Sequence, residues 1–210
     1  MADSHQPHSL HSVSFNAAPA SLQYEIALLH GRAYPEPDHL SGSPARTTLS
    51  TIRDDSVPRL HHAALDVMSF YLCVGTKMVS YAGVVRKTID HDGDQFALAG
   101  LSCVATDKEF WGRGFGSRTV AAATRWIERG GMDFGIFSCD PPLGSFYERA
   151  GSWAVVSDVV LLGSAHEGAL SSAYLDKIVL MRLFSQKALS CEARLRNTTI
   201  DLDLPLGQFL

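Results

Sequence analysis

The chain of 210 residues is 46% apolar and 19% charged, with 18 basic against 22 acidic side chains and a formal charge of −4. Soluble domains carry about 25% charged residues, so this composition excludes a disordered polypeptide and supplies enough apolar side chain for one sizeable core. The acidic excess gives no field suited to a polyanion, which excludes nucleic acid as a partner. The longest apolar runs, around residues 70–74 and 153–163, fall far short of the roughly 20 residues of a membrane span.

Residues 1–20 are rich in Ser, Ala, His and Pro and contain Asp3 but no Lys or Arg. They lack the charged and apolar regions of a secretory signal, so a mobile leader and a cytoplasmic location are expected. Cys73, Cys103, Cys139 and Cys191 show no C-x-x-C spacing and read as free, mostly buried thiols. The histidines have no ligand spacing either, so no metal site is expected.

Order is expected to begin near Ser21. Leu22, Ile26 and Leu29 fall at helical spacing and predict a helix over residues 22–33, closed by Pro35 and Pro37. Residues 38–57 read as irregular, and a short helix is expected near residues 58–65. Three β-prone runs follow, residues 69–74, 78–87 and 96–106, separated by the turns Gly75-Thr76-Lys77 and His91-Asp92-Gly93-Asp94; they predict an antiparallel meander. Val120, Ala123 and Ile127 then restore the helical period, with Gly130-Gly131 as a stop. Residues 134–139 form a short apolar strand that should lie parallel to the preceding one, because a helix connects the two. Pro141-Pro142 opens a helix carrying Leu143, Phe146, Tyr147 and Ala150 on one face, and Gly151 ends it. Strands over 153–162 and 177–184 complete a mixed α/β domain with one central sheet. The boundaries read from this order are a leader (1–20), a domain (21–186) and a tail (187–210).

The stretch from Leu101 to Ser117 carries the chemical signal. A buried strand runs through a short polar loop into Gly112, Gly114 and Gly116 and then into a helix. Glycines there allow close backbone approach, and the first helical turn presents unpaired N–H groups at the positive end of the helix dipole, an arrangement suited to a phosphate. No Lys follows the glycines, so this is not a P-loop; the glycine spacing and the upstream meander are wrong for a dinucleotide-binding fold.

Trp111-Gly-Arg-Gly-Phe-Gly116 resembles the [QR]-x-x-G-x-[GA] loop of the GNAT superfamily of acyl-CoA N-acyltransferases, departing from it at Trp111. A second element, Ser145-Phe-Tyr-Glu-Arg-Ala-Gly-Ser-Trp153, is similar to that superfamily's F-Y-x-x-x-G-[FW] helix. The resemblance implies an α/β (α+β) GNAT fold: a mixed central sheet with an antiparallel meander, a parallel strand pair splayed around acetyl-CoA, and flanking helices. It implies acetyl transfer from acetyl-CoA to a primary amine of a small cationic substrate by direct attack in a ternary complex. A more distant likeness, to the aminoglycoside 2′-N-acetyltransferase group, points to an aminoglycoside acceptor. Another small amine, a peptide N-terminus, or a non-catalytic CoA-binding module are the alternative readings.

Carried onto this sequence, the resemblance places the cofactor against Val104, Ala105 and Thr106 and against Gly112, Arg113, Gly114, Phe115, Gly116 and Ser117. Val104 N–H becomes the oxyanion donor and Tyr147 the general acid, although on its own helix Tyr147 also fits a core tyrosine. Ser102 stands where many relatives carry Glu; it holds a proton-relaying water, or is a plain strand serine. Asp140, Asp176 and the Leu210 carboxylate are the acids expected around a cationic acceptor, with Asp54 and Asp55 as further candidates. A homodimer is expected by the same analogy.

Overall fold

In the computed structural model, residues 7–34 and 60–210 are described. Strand β1 (His8–Ser14) is followed by helix α1 (Ala20–Ala33), and then by β2 (Asp66–Val74), β3 (Lys77–His91) and β4 (Asp94–Thr106). Helix α2 (Phe115–Arg129) leads to β5 (Phe134–Cys139), and α3 (Gly144–Gly151) leads to β6 (Ala154–Val156) and β7 (Val159–Leu162). Strand β8 (Ile178–Leu183), the short helix α4 (Gln186–Ser190) and β9 (Thr198–Asp201) complete the order.

Seven strands form one sheet in the order β1-β2-β3-β4-β5-β8-β6, and β7 pairs with β9 in a separate two-stranded sheet. The meander β2-β3-β4 is antiparallel, as its tight turns require. The β4–β5 pair is parallel, as the intervening α2 dictates, but it is paired only at Leu98↔Phe134 and Ala99↔Gly135. Beyond that point the two strands diverge into a fork. Helix α1 and Phe15 cover one face of the meander, with the Phe15 ring edge-on to His61. Helix α2 covers the other, where Trp126 meets Phe70 and Arg86.

Three expectations are corrected. The stretch read as a leader contains β1, which pairs along its whole length with β2 from His8↔Val74 to Ser14↔Met68; ladder hydrogen bonds offered by the β2 edge order a segment that has little strand propensity of its own. The run 153–162 is two strands, because Ser157 and Asp158 turn the chain and send β7 to pair with β9. The tail is largely structured and buries Leu195, Ile200, Leu202, Leu204 and Leu210. Of the expected helix over 58–65, residues 60–65 form bends and turns, while 58–59, the irregular stretch 38–57, Asp54 and Asp55 lie outside the described residues.

Candidate active site

The fork is shaped by a β-bulge. Gly83 pairs with Ser102 and Tyr81 with Ala105, so Cys103 and Val104 together oppose the single residue Ala82. Cys103 takes up the extra length with φ 51°, a left-handed conformation that a non-glycine residue adopts at a cost of order 1 kcal/mol. The tail closes the base of the fork. Ser138 donates from its N–H and its hydroxyl to the Leu210 carbonyl oxygen, at 3.0 and 2.5 Å. A Cβ at position 100 would collide with the Ile136 oxygen and stand 2.7 Å from a Leu210 methyl group. Only glycine fits there, and Leu210 is 6% exposed.

Above the bulge, the main-chain parity of β4 can be read from its partners. Asp107 N–H donates to the Val79 oxygen at 2.9 Å, and the continuous register from Val79 to Tyr81 makes Ala105 turn its main-chain groups to β3 as well. The carbonyls of Val104 and Thr106, and the N–H of Thr106, therefore face the fork. Tyr34, which caps the C-terminus of α1, donates its hydroxyl to the Val104 carbonyl at 2.8 Å. The Trp111 indole N–H donates to the Thr106 carbonyl, also at 2.8 Å.

The glycine loop follows directly. Asp107 is 4% exposed and accepts from the Glu109 N–H at 3.1 Å. It pairs with Lys77 at 3.1 Å and Arg32 at 3.3 Å. Burial alone would raise its pKa, but these donors and cations outweigh burial and hold the carboxyl below its ordinary range. That anchor ties the loop to α1 and β3. Gly112 and Gly114 have φ of 75° and 77° with open space where a side chain would point, and Gly114 is the cap of α2. No side chain caps that end of α2, so its first-turn N–H groups are presented outward. Phe115, Gly116 and Ser117 make up that turn, and Arg113 lies 5.2 Å from the Phe110 ring.

On the far side of the fork, Tyr147 is 6% exposed, with its ring edge-on to Phe137 and Phe146 at 4.9 Å each. Burial, reinforced by the neighbouring Tyr34, Cys139 and Asp140, pushes its pKa well above the ordinary tyrosine value. The phenol therefore stays protonated at neutral pH, as an acid requires. Burial likewise raises the thiols of Cys103 and Cys139 to about 11, which removes both as nucleophiles near neutrality.

The other sequence-derived residues fall as follows. Ser102 is nearly buried, and its hydroxyl lies 3.5 Å from the Cys103 sulfur. Asp140 lies at the end of β5 beside the tyrosines but is ion-paired with Lys177. Asp176 is exposed one residue before Lys177 with φ 51° and makes no side-chain hydrogen bond or ion pair among the described residues. Tyr34, Asp107 and Ser138 were not singled out from sequence; of these only Asp107, followed by a polar turn at a strand end, carries a local capping signal. Deeper under α1, His61 shares a 2.8 Å hydrogen bond with Tyr81, whose hydroxyl lies 3.1 Å from Ser69. His61 is 2% exposed, and burial lowers its pKa to about 4, with His30 adding to the shift.

A groove of 750 Å³ opens elsewhere, beside Arg86 and Lys87 of β3, between those residues and Asp66, His166 and Asp203. Four of its charges pair with one another, Arg86 with Asp66 and Lys87 with Asp203, while Glu167 lines it with no ion pair among the described residues. Among the described residues no helix is long and apolar enough to cross a membrane.

Comparison with solved structures shows what the architecture is similar to. A GNAT-family N-acetyltransferase (YhbS) from Escherichia coli, solved in complex with CoA, aligns with a TM-score of 0.56 and 12% identity over 96% of this chain and 93% of its own. Escherichia coli ElaA aligns at 0.55 and 12% identity, covering 84% of this chain and 99% of its own. An acyl-CoA N-acyltransferase from Pseudomonas aeruginosa aligns at 0.53 and 13%, covering 84% and 99%. No protein-family model matches the chain, and no curated protein matches its sequence. At these identities the likeness shows the fold: a mixed sheet with an antiparallel meander and a parallel pair, flanked by helices, which is the arrangement expected from the glycine loop and the Tyr147 helix.

Proposed function

We propose that this chain is an acetyl-CoA-dependent N-acetyltransferase acting on a primary amine of a small cationic substrate, with an aminoglycoside as the specific acceptor to test first. What supports the reading is that the bulged edge of β4 runs on into the glycine loop and the uncapped N-terminus of α2, while Tyr147 is buried against Phe137 of the diverging strand β5. Those three features are what transfer from a thioester carried on a pyrophosphate-bearing group needs.

The residues present fit such a cosubstrate. The N–H groups of residues 115–117, with Gly112, Gly114 and the Arg113 guanidinium, would hold its phosphates. The fork edge at Val104 and Thr106 would hold its amide-containing arm. Acetyl-CoA supplies an acyl group activated as a thioester. Val104 N–H, directly after the bulge, is assigned to the developing oxyanion. As the amine–carbonyl bond forms and the carbon–sulfur bond breaks, Tyr147 would give its proton to the departing thiolate and be reprotonated by the N–H proton that the nitrogen sheds on becoming an amide. The ammonium proton lost by the acceptor passes outward, with Ser102 positioned to hold a relaying water. Both substrates are bound together, so attack is direct.

Asp140, Asp176 and the Leu210 end of the tail are assigned to the acceptor side, where acidic groups favour a cation. The protein is proposed to act in the cytoplasm as a homodimer. The test is release of CoA thiol when acetyl-CoA is mixed with a panel comprising aminoglycosides, simple diamines and short peptides. Turnover with one class names the acceptor. Acetyl-CoA binding without turnover on any amine would leave a binding module, and no binding would overturn the reading altogether.

A further inference from the structure

We propose that Tyr34 and Trp111 are positioning residues that make the open edge of β4 above the bulge one that offers donors. The inference rests on the acetyltransferase reading above and adds to it two residues that no part of that reading uses. Where β5 diverges, the β4 groups facing the fork lose the neighbour that would pair them, leaving alternating N–H and C=O groups as in any sheet edge. Above the bulge the two fork-facing carbonyls are both occupied, and by side chains from different elements. Val104 C=O takes the Tyr34 hydroxyl from the end of α1, and Thr106 C=O takes the Trp111 indole N–H from the glycine loop, each at 2.8 Å.

Neither donor is there because burial forces it to be. Tyr34 is 45% and Trp111 62% exposed, so neither side chain is confined to the core, yet the polar atoms of both are turned back onto alternate residues of one strand. The Tyr34 ring is held against the His30 ring at 4.9 Å, and its own N–H donates to the His30 carbonyl at 2.9 Å. The two contacts fix two alternate peptide planes. The plane joining Val104 to Ala105 is pinned between Tyr34 and β3, and the plane joining Thr106 to Asp107 is pinned between Trp111 and the Val79 oxygen. What the edge then offers an incoming group is N–H, including that of Thr106, running on into the N–H groups of α2. A surface of donors selects acceptors: the thioester oxygen, an amide oxygen, then phosphate oxygens. This also explains Trp111 at the position where the similar loops carry Gln or Arg, since its indole works on the strand and leaves phosphate binding to the backbone.

The test uses the full chain, with acetyl-CoA labelled with ¹³C at the thioester carbonyl as probe, and compares Tyr34→Phe, Trp111→Phe and Trp111→His. Removing an oxyanion donor outright costs about 10²–10³ in kcat; removing a group that only orients the edge should cost less, about tenfold. The expected result for Tyr34→Phe is a roughly tenfold fall in kcat, an acetyl-CoA Kd within about twofold of the parent, and a bound carbonyl stretch displaced toward that of the free thioester. For Trp111→Phe, the Kd for acetyl-CoA should rise about tenfold while kcat at saturation holds, and Trp111→His, which keeps a ring N–H, should recover most of the loss. Parent-like kcat, Kd and carbonyl frequency in Tyr34→Phe and Trp111→Phe, in a parent that itself binds and turns over, would overturn the proposal. So would equal losses in Trp111→Phe and Trp111→His. A parent that fails to bind acetyl-CoA overturns the acetyltransferase reading instead, so the two failures are told apart.

Discussion

Truncating the last side chain, Leu210→Ala, separates a docked tail from a loose one. Leu210 is 6% exposed, its oxygen is held by Ser138, and its side chain fills the space that Gly100 leaves beside the Ile136 carbonyl. Removing a buried leucine side chain costs about 2–5 kcal/mol. The site lies at the base of the fork, where β4 and β5 stop pairing and collapse and water entry relieve part of the cavity, so about 3 kcal/mol is the working figure. At about 2.1 cal/mol/K per residue, a chain this long unfolds with about 0.44 kcal/mol/K, so 3 kcal/mol lowers Tm by about 7 °C. Thermal unfolding followed by circular dichroism measures it directly. A shift smaller than about 2 °C would mean that the end of the chain is not seated in the β4–β5 fork, and its place on the acceptor side would fall with it.

Three further outcomes are expected. Tyr147→Phe should lower kcat about 10²-fold while leaving the acetyl-CoA Kd within about twofold; steady-state kinetics with isothermal titration calorimetry decides, and an unchanged kcat removes the phenol from the chemistry. Gly114→Val meets no atom within 4 Å but must hold φ near 77°, a conformation costing about 1–2 kcal/mol, so a small loss of stability and at least about a tenfold loss of acetyl-CoA affinity are expected; full affinity would refute the loop assignment. His61 is held neutral, its pKa lowered from 6.5 to about 4, so between those values the unfolded chain binds a proton that the folded chain refuses. Its contribution is intact above pH 6.5 and is lost as pH falls toward 4, about 3 kcal/mol in all. Urea unfolding of His61→Gln across that window should show a flatter pH dependence, and an unchanged slope would contradict the burial argument.

The regular parts of the fold were legible because local signals and tertiary demands agree in them. The meander announces itself through its turn residues, and α2 through the spacing of Val120, Ala123 and Ile127, all three fully buried. The glycine loop was legible for the same reason, since Gly112 and Gly114 do adopt positive φ. What was missed is set by partners distant in sequence. His8–Ser14 is a strand because β2 offers it an edge. Cys103 sits in a left-handed bulge that no glycine advertises, and Tyr34 reaches a carbonyl 70 residues away. The tail was an avoidable miss. Ile200, Leu202 and Leu204 alternate with Asp201 and Asp203, a two-residue period that marks a strand with one face buried, and those three leucine and isoleucine side chains are indeed buried.

The pairing of β1 with β2 bears on how the protein can be handled. Trimming the first 20 residues as dispensable would strip β1 and leave the nine residues of β2 as a bare template. That strand carries Val67, Phe70 and Leu72 and has no proline to interrupt it, so its freed N–H and C=O groups would invite another chain to take the vacated place. A shortened product of that kind should associate edge to edge and come out of solution, which makes the amino-terminal strand a guard against self-association as well as a part of the sheet.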